Sequence, residues 1–298
     1  MQDKKENKKS QLPVAAVYAT ALLIGVLVFG LIGFLAVRNF LPSDNSSSEV
    51  TEENRFNFST NDDSITLYAV TDDFDELKSV VLSAFKPSTQ NIIIIPLTPY
   101  LDCNGQTFNE IYKTHGIADA TESVSAKLGV EIDKYMTLSE NTLSEVINIM
   151  GTSIVSLVDP IVIPDRATGG TVSYQKGARI AVDGDMAVTL IGYPTYASGF
   201  SSNMKMSGEI AANSINTFFK QPATAKLNID LIFNKEYGDA NTNMTQDDYN
   251  LMKSAIVYVI ENSTMPSYSL TPTGEWPEPT RFIIDQSFID QLDGYLVG

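Results

Sequence analysis

The stretch NIIIIPL, residues 91–97, runs on as TPYLD to Asp102, and its reading decides the fold. Four consecutive isoleucines leave no polar face, as in a strand covered on both sides by helices rather than an edge strand facing water. Pro96 and Pro99 then close it, because proline cannot donate to a continuing ladder. Two β-rich runs precede it: SITLYAV (64–70), and LKSVVLSAF (77–85), which ends at the turn-like KPSTQN. Hairpin-linked neighbours are the default pairing, so strands over 65–70, 78–85 and 91–97 are expected in one sheet.

Helical periodicity follows. Phe108, Ile111 and Tyr112 share one face, and Val124 and Leu128 another. LSENTLSEVINIMG opens with a Ser139/Asn141 cap region, keeps Leu143, Val146, Ile147 and Met150 inward, and stops at Gly151. Strands are expected near 153–158 and 179–182, then a helix around 183–191. MSGEIAANSINTFF and TQDDYNLMKSAIVYVIENS read as amphipathic helices, and TRFIID as a last strand. With no repeat and no second linker, residues 64–298 are expected to form a single α/β domain, a mixed central sheet flanked by helices.

The N-terminus points to a membrane. Residues 1–12 form a basic tail with Lys4, Lys5, Lys8 and Lys9, and residues 13–37 carry no charge. That span of 25 residues, at about 1.5 Å each, crosses a hydrocarbon core of about 30 Å with some tilt. A cleaved signal peptide would carry a shorter apolar run and a small-residue cleavage site, so a retained anchor is expected. Its basic flank keeps the N-terminus cytoplasmic and the bulk of the chain outside the cell membrane. Residues 38–63 are polar, acidic and aperiodic, the composition of a flexible tether.

Composition limits the chemistry. A 43% hydrophobic, 19% charged content is that of a folded chain. Beyond residue 40 there are 15 basic and 34 acidic residues, a net charge near −19, which argues against nucleic acid as a partner. One cysteine, Cys103, excludes an intramolecular disulfide and a multi-cysteine zinc site. Cys103 and His115 are the only thiol–imidazole pair, and nothing in the sequence brings them together. Asp72, Asp73, Asp75 and Glu76 read as a solvated turn before a weak cation site. Asp183 and Asp185 read as helix caps. The 239–248 stretch DANTNMTQDD lacks the acid spacing, central glycine and closing glutamate of a calcium loop. The single tryptophan, Trp276, reads as an aromatic packed at a turn before it reads as a sugar platform.

In this order the signals resemble the LytR-CpsA-Psr family. VVLSAFKPSTQNIIIIPLTPY is similar to the family's strand, INPKT turn, strand and IPRDT ledge. FNEIYKTHG resembles its next segment through Asn109, Tyr112 and Gly116. LGVEIDKYMTLS matches LGIPIDYYVVVN at Leu128, Gly129, Ile132, Asp133 and Tyr135, VINIMG sits where LVDALGG would, and KGARIAVDGDMAV is similar to the following LDGDQAL region. The resemblance covers about residues 64–220. It implies an extracytoplasmic, membrane-anchored α/β domain that moves glycopolymers from a polyprenyl-pyrophosphate carrier to the cell wall, using arginines, aspartates and Mg²⁺.

Here the family's charged positions fall on Lys78, Leu97, Thr98, Leu190, Gly192 and Pro194, and no arginine lies between Arg179 and Arg281. Leucine has no five-donor fork for phosphate oxygens. Losing one such donor costs about 10²–10³-fold in rate, so losing several removes the transfer chemistry. The expectation is a pseudo-enzyme: a non-catalytic binding or assembly component for lipid-linked glycopolymers or protein partners, with no cofactor and no metal. Its cleft is expected around Asp72, Asp73, Lys78, Leu97, Thr98, Tyr112, Tyr193 and Lys205. The apolar lipid pocket the resemblance implies is able to outlast such losses, since burying a chain needs only apolar area. The competing expectation is an active phosphotransferase with relocated ligands at Asp72, Asp73, Lys78 and Lys205, and Mg²⁺ belongs only to that reading. The topology is open to a direct check. In a Cys103→Ser background, a cysteine placed at Ser47 reacts with a membrane-impermeant thiol reagent on intact cells, whereas protection until lysis contradicts the N-in orientation.

Overall fold

Strand β3 (Asn91–Leu97) contributes alternate side chains to two separate cores. The computed structural model describes residues 58–165 and 168–296; the expected anchor and most of the expected tether lie outside them. Among the described residues no helix is long and apolar enough to cross a membrane.

The central sheet has five strands: β1 (Ser64–Thr71), β2 (Leu77–Lys86), β3, β4 (Lys134–Ser139) and β5 (Ser267–Ser269), in the spatial order β5-β3-β2-β1-β4. β1, β2 and β3 form an antiparallel meander, while β4 adds to β1 and β5 to β3 in parallel. The sheet is therefore mixed, and the meander expected from hairpin pairing forms as read.

Side chains alternate across a strand. On one face Ile93, Ile95 and Leu97 pair with Ala84, Leu82 and Val80 and pack on α1 (Phe108–His115), α2 (Ile117–Leu128) and α8 (Gln286–Leu296). On the other face Ile92 and Ile94 meet α5 (Phe200–Phe219), α6 (Pro222–Asp239) and α7 (Gln246–Asn262). A third cluster joins α3 (Glu140–Met150) and α4 (Gly184–Ile191) to the paired strands 153–156 and 179–182, which form their own ribbon outside the main sheet.

Local chemistry sets the helix limits. Thr107 and Glu110 form a capping box at the start of α1. Gly116, at φ 87°, separates α1 from α2 in a backbone region that disfavours side chains. Ser139 caps α3, and Thr245 with Asp248 form the box of α7. Residues 60–62 make one 3₁₀ turn, and Asp63 accepts two contacts from the Ser88 hydroxyl, at 2.7 and 2.9 Å, tying the start of the domain to the β2–β3 turn.

The most intimate helix–sheet contact is at Gly208. A Cβ there would lie 2.4 Å from Ser269 Oγ and 2.7 Å from Pro96 Cγ, so the α5 backbone rests directly on the proline of β3. Proline at this position also withholds an N–H that a further strand residue would have used.

The two faces of β3 predict unequal mutational costs. Ile95 is fully buried in the packed face. Ile95→Ala should cost about 2–5 kcal/mol in urea denaturation, the usual range for a packed core site. Ile94→Ala should cost less, because Ile94 borders an existing cavity. Equal losses at the two positions contradict the two-sided packing.

Candidate functional site

β1, β3 and β4 end, and β2 begins, at one edge of the sheet, as their pairing directions require. This is where the sequence places its candidate residues. Val70 pairs with Ser79 but Thr71 with Leu77, so Lys78 is the extra residue of a bulge. A bulge re-aims its side chain out of the strand pattern. Lys78 Nζ reaches Asp72 Oδ2 at 2.7 Å. Asp72 Oδ1 also accepts from Phe74 N at 2.9 Å and Glu76 N at 3.0 Å. The Lys78 bond, with these backbone donors, holds the Asp72 carboxyl down at about 2, and Asp72 in turn raises Lys78.

The rest of the 72–76 loop is anchored to α1. Tyr112 Oη donates to Asp75 Oδ1 at 2.6 Å, and Lys113 Nζ meets Glu76 at 2.7 Å. Glu140, the first residue of α3, faces the same edge. Burial raises its carboxyl, partly countered by Lys78 and reinforced by Asp72 and Asp73. A Cβ on Gly192 would lie 3.6 Å from Glu140 Oε1, so Lys78, Glu140 and Gly192 gather at one point of the edge.

Other candidates lie apart. Leu97 is buried below the edge, paired with Val80 in the core, and Leu190 is buried against the α3/α4 cluster. Thr98 is buried too, its Oγ1 accepting from Tyr100 N at 3.3 Å. Tyr193 accepts from Val162 N at 3.0 Å and packs edge-on against Tyr196, which ties it to the 161–174 hairpin. Pro194 and Lys205 are exposed, and Lys205 sits one turn before Gly208 on α5. Asp73 is exposed at the loop tip. The edge thus gathers Asp72, Lys78 and Tyr112 of the expected set, adds Glu140, and keeps Leu97 and Thr98 as floor.

As chemistry the edge is self-neutralised. Its lysines at 78 and 113 are each paired with a carboxylate at 2.7 Å. Among the described residues no three acidic, histidine or cysteine side chains converge as a metal-holding group. A Mg²⁺ ion prefers octahedral oxygen ligands, and Asp72 already spends its oxygens on Lys78 and two N–H groups.

Directly beneath lies an apolar space whose lining residues the sequence did not single out. A cavity of about 220 Å³ separates the second face of the sheet from α3, α5, α6 and α7. It runs up to the edge, where Ser79, Leu138 and Ile191 adjoin Lys78, Ser139 and Gly192. Val81, Phe85, Phe218 and Ile256 make it overwhelmingly apolar. Two titratable groups nevertheless line it, Tyr68 from β1 and Glu236 from α6. Among the described residues neither has a hydrogen-bond partner. Burial pushes the Glu236 carboxyl up to about 7, and burial with the neighbouring Glu236 charge raises Tyr68. Glu236 was missed because its helix shows no single apolar face in the sequence.

The remaining motifs are structural. Cys103 is buried, donates to Leu101 O at 3.7 Å, and burial raises its thiol to about 12, while His115 approaches Asp119 at 3.9 Å in the open. Asp248 bonds Lys134 at 2.8 Å and caps α7. Trp276 packs between Phe200 and Phe282, at ring separations of 6.1 and 5.0 Å.

The LytR_cpsA_psr family model matches residues 88–194. A protein from Eubacterium siraeum, described as a transcription regulator, superposes with a TM-score of 0.71 at 19% identity, over 85% of this chain and 99% of that one. The LytR-Csp2A-Psr enzyme of Actinomyces oris gives 0.59 at 16% identity, over 78% of this chain and 89% of its own. TagT, solved bound to LI-WTA, gives 0.57 at 16%, over 80% of this chain and 91% of its own. No curated protein matches the chain in sequence. At such identities the structural likenesses show the fold, and together with the matched segment they support the LytR-CpsA-Psr family.

Glu236 generates a stability prediction. Its carboxyl is raised from 4.5 to about 7, so the folded state binds more protons than the unfolded state in that window. Its contribution is therefore full below about pH 4.5 and lost as pH rises to about 7. Glu236→Gln should flatten this part of the thermal-midpoint profile, and an unchanged profile contradicts the assignment.

Proposed function

We propose that this chain is a membrane-anchored, extracytoplasmic protein of the cell envelope that holds the aliphatic carrier of a lipid-linked glycopolymer and performs no transfer. The cavity carries the reading. It is apolar, lies under the sheet and reaches an edge whose lysines are already neutralised by carboxylates. Burying an aliphatic chain needs only area removed from water, at about 25 cal/mol per Å². Transferring a pyrophosphate group needs preorganised positive charge instead.

The support from relatives is of the same kind. TagT is solved bound to LI-WTA, and the matched segment 88–194 of this chain spans β3, the edge and α1 to α4. The anchor over 13–37 would hold the cavity near the bilayer that supplies such a lipid. Relocated catalysis is the weaker reading, since Lys78 is paired with Asp72, Lys205 is exposed, and among the described residues no acidic set converges as a metal-holding group.

The test uses the full chain in phospholipid nanodiscs with a polyprenyl-pyrophosphate-linked oligosaccharide. Binding should persist when Mg²⁺ is chelated, and no free polyprenyl phosphate should accumulate with or without a cell-wall acceptor. Mg²⁺-dependent release of the carrier would establish the transferase instead.

A further inference from the structure

The end of the sheet opposite the edge carries a second cavity, of about 390 Å³, a volume typical of small-ligand sites. β1 begins there at Ser64 and β2 ends there at Lys86. On β2 the alternate residues Val80, Leu82 and Ala84 are buried in the core that packs on α1, α2 and α8. Lys86 is the next residue on that face, so the alternation of the strand carries an ammonium into a row of apolar side chains. It is only 6% exposed, and it lines the cavity.

A buried ammonium is normally answered by a carboxylate, because taking an unpaired charge out of water is costly. Lys86 Nζ donates to Tyr295 O, in the last turn of α8, at 3.1 Å. Among the described residues no carboxylate pairs with it, which leaves two of its three N–H donors without a protein acceptor.

The rest of the wall has the opposite sign. Asp63, Glu131 and Asp133 line the same cavity, and α2 and α8 both end on it, presenting the negative ends of their dipoles. Asp63 accepts from the Ser88 hydroxyl, and Asp133 Oδ2 from Ile65 N at 2.7 Å. Glu131 is exposed and, among the described residues, has no partner. Thr60 and Ser64 add hydroxyls, while Ile65, Val130 and Leu296 add apolar surface. These acids would repel a multiply charged anion, and Lys86 would repel a simple cation. A guest with one anionic end, one cationic end and a short, weakly polar middle complements both.

We infer that this cavity binds a short peptide with free ends and small side chains. Its carboxylate pairs with Lys86, its ammonium with Glu131 and the remaining oxygen of Asp133, and its methyl-sized side chains lie on Ile65 and Val130. The inference is independent of the lipid-binding reading, since the two cavities share no residue.

The experiment titrates the full chain in phospholipid nanodiscs, by calorimetry, with three probes. These are dialanine, N-acetyl-dialanine, which lacks the ammonium, and dialanine amide, which lacks the carboxylate. Dialanine should bind about tenfold tighter than either derivative, the step expected for one lost charged bond. It should also slow hydrogen exchange in peptides covering residues 60–65 and 129–133, two walls of the cavity. Lys86→Met, which keeps the apolar stem, should abolish dialanine binding. Glu131→Gln, a change at an exposed position, should cut the preference over the N-acetyl form by about threefold. If thermal melting shows that Lys86→Met does not fold, Glu131→Gln decides alone. Equal affinity for the three probes, protection away from these segments, or a preference unchanged in Glu131→Gln overturns the inference. Absence of binding by all three also overturns it, and leaves Lys86 as a cap on α8.

Discussion

Everything in the domain depends on β3 being buried on both faces. Ile93, Ile95 and Leu97 lock one helical layer to the sheet, and Ile92 and Ile94 hold the other. A strand with a polar face would leave one layer unattached, and the three-layer arrangement would collapse to two. The same constraint fixes where the strand ends. Pro96 receives the α5 backbone at Gly208, and the chain must then leave the sheet through Thr98 and Pro99. The edge exists because the core requires the strand to stop there.

Two electrostatic regimes sit within a few residues of each other. At the edge, water and short pairs let Lys78, Asp72, Lys113 and Glu76 neutralise one another at small net energy. In the cavity, burial raises the Glu236 carboxyl to about 7.

Legibility differed sharply between elements. The meander was readable because its strands are apolar, of ordinary length and joined by recognisable turns. β5 was not: Ser-Tyr-Ser is too short and too polar to announce a strand, and it is held by its parallel pairing with Ile92–Ile94 and by Asn216, which bonds Ser267 on both backbone atoms. α6 was missed for a different reason. Leu227 is 83% exposed and Leu231 46%, while Ala225, Ile229, Ile232 and Phe233 are buried, so apolar residues surround the helix and no period stands out. Of the candidate cleft, Lys78 and Asp72 could be located from the sequence by their neighbourhood, but their mutual pairing could not.

The sequence by itself determined the layer order, the strand that carries both cores, the acidic balance and the residue types available at the edge. Those properties follow from periodicity and composition, which are local. Only the tertiary structure decided that Leu97 would be floor, that Lys78 would spend its charge on Asp72, and that Tyr68 and Glu236 would line one cavity. Tyr68 and Glu236 are far apart in the chain, and burial, which sets both the cavity and the ionisation of Glu236, is a property of the packed whole.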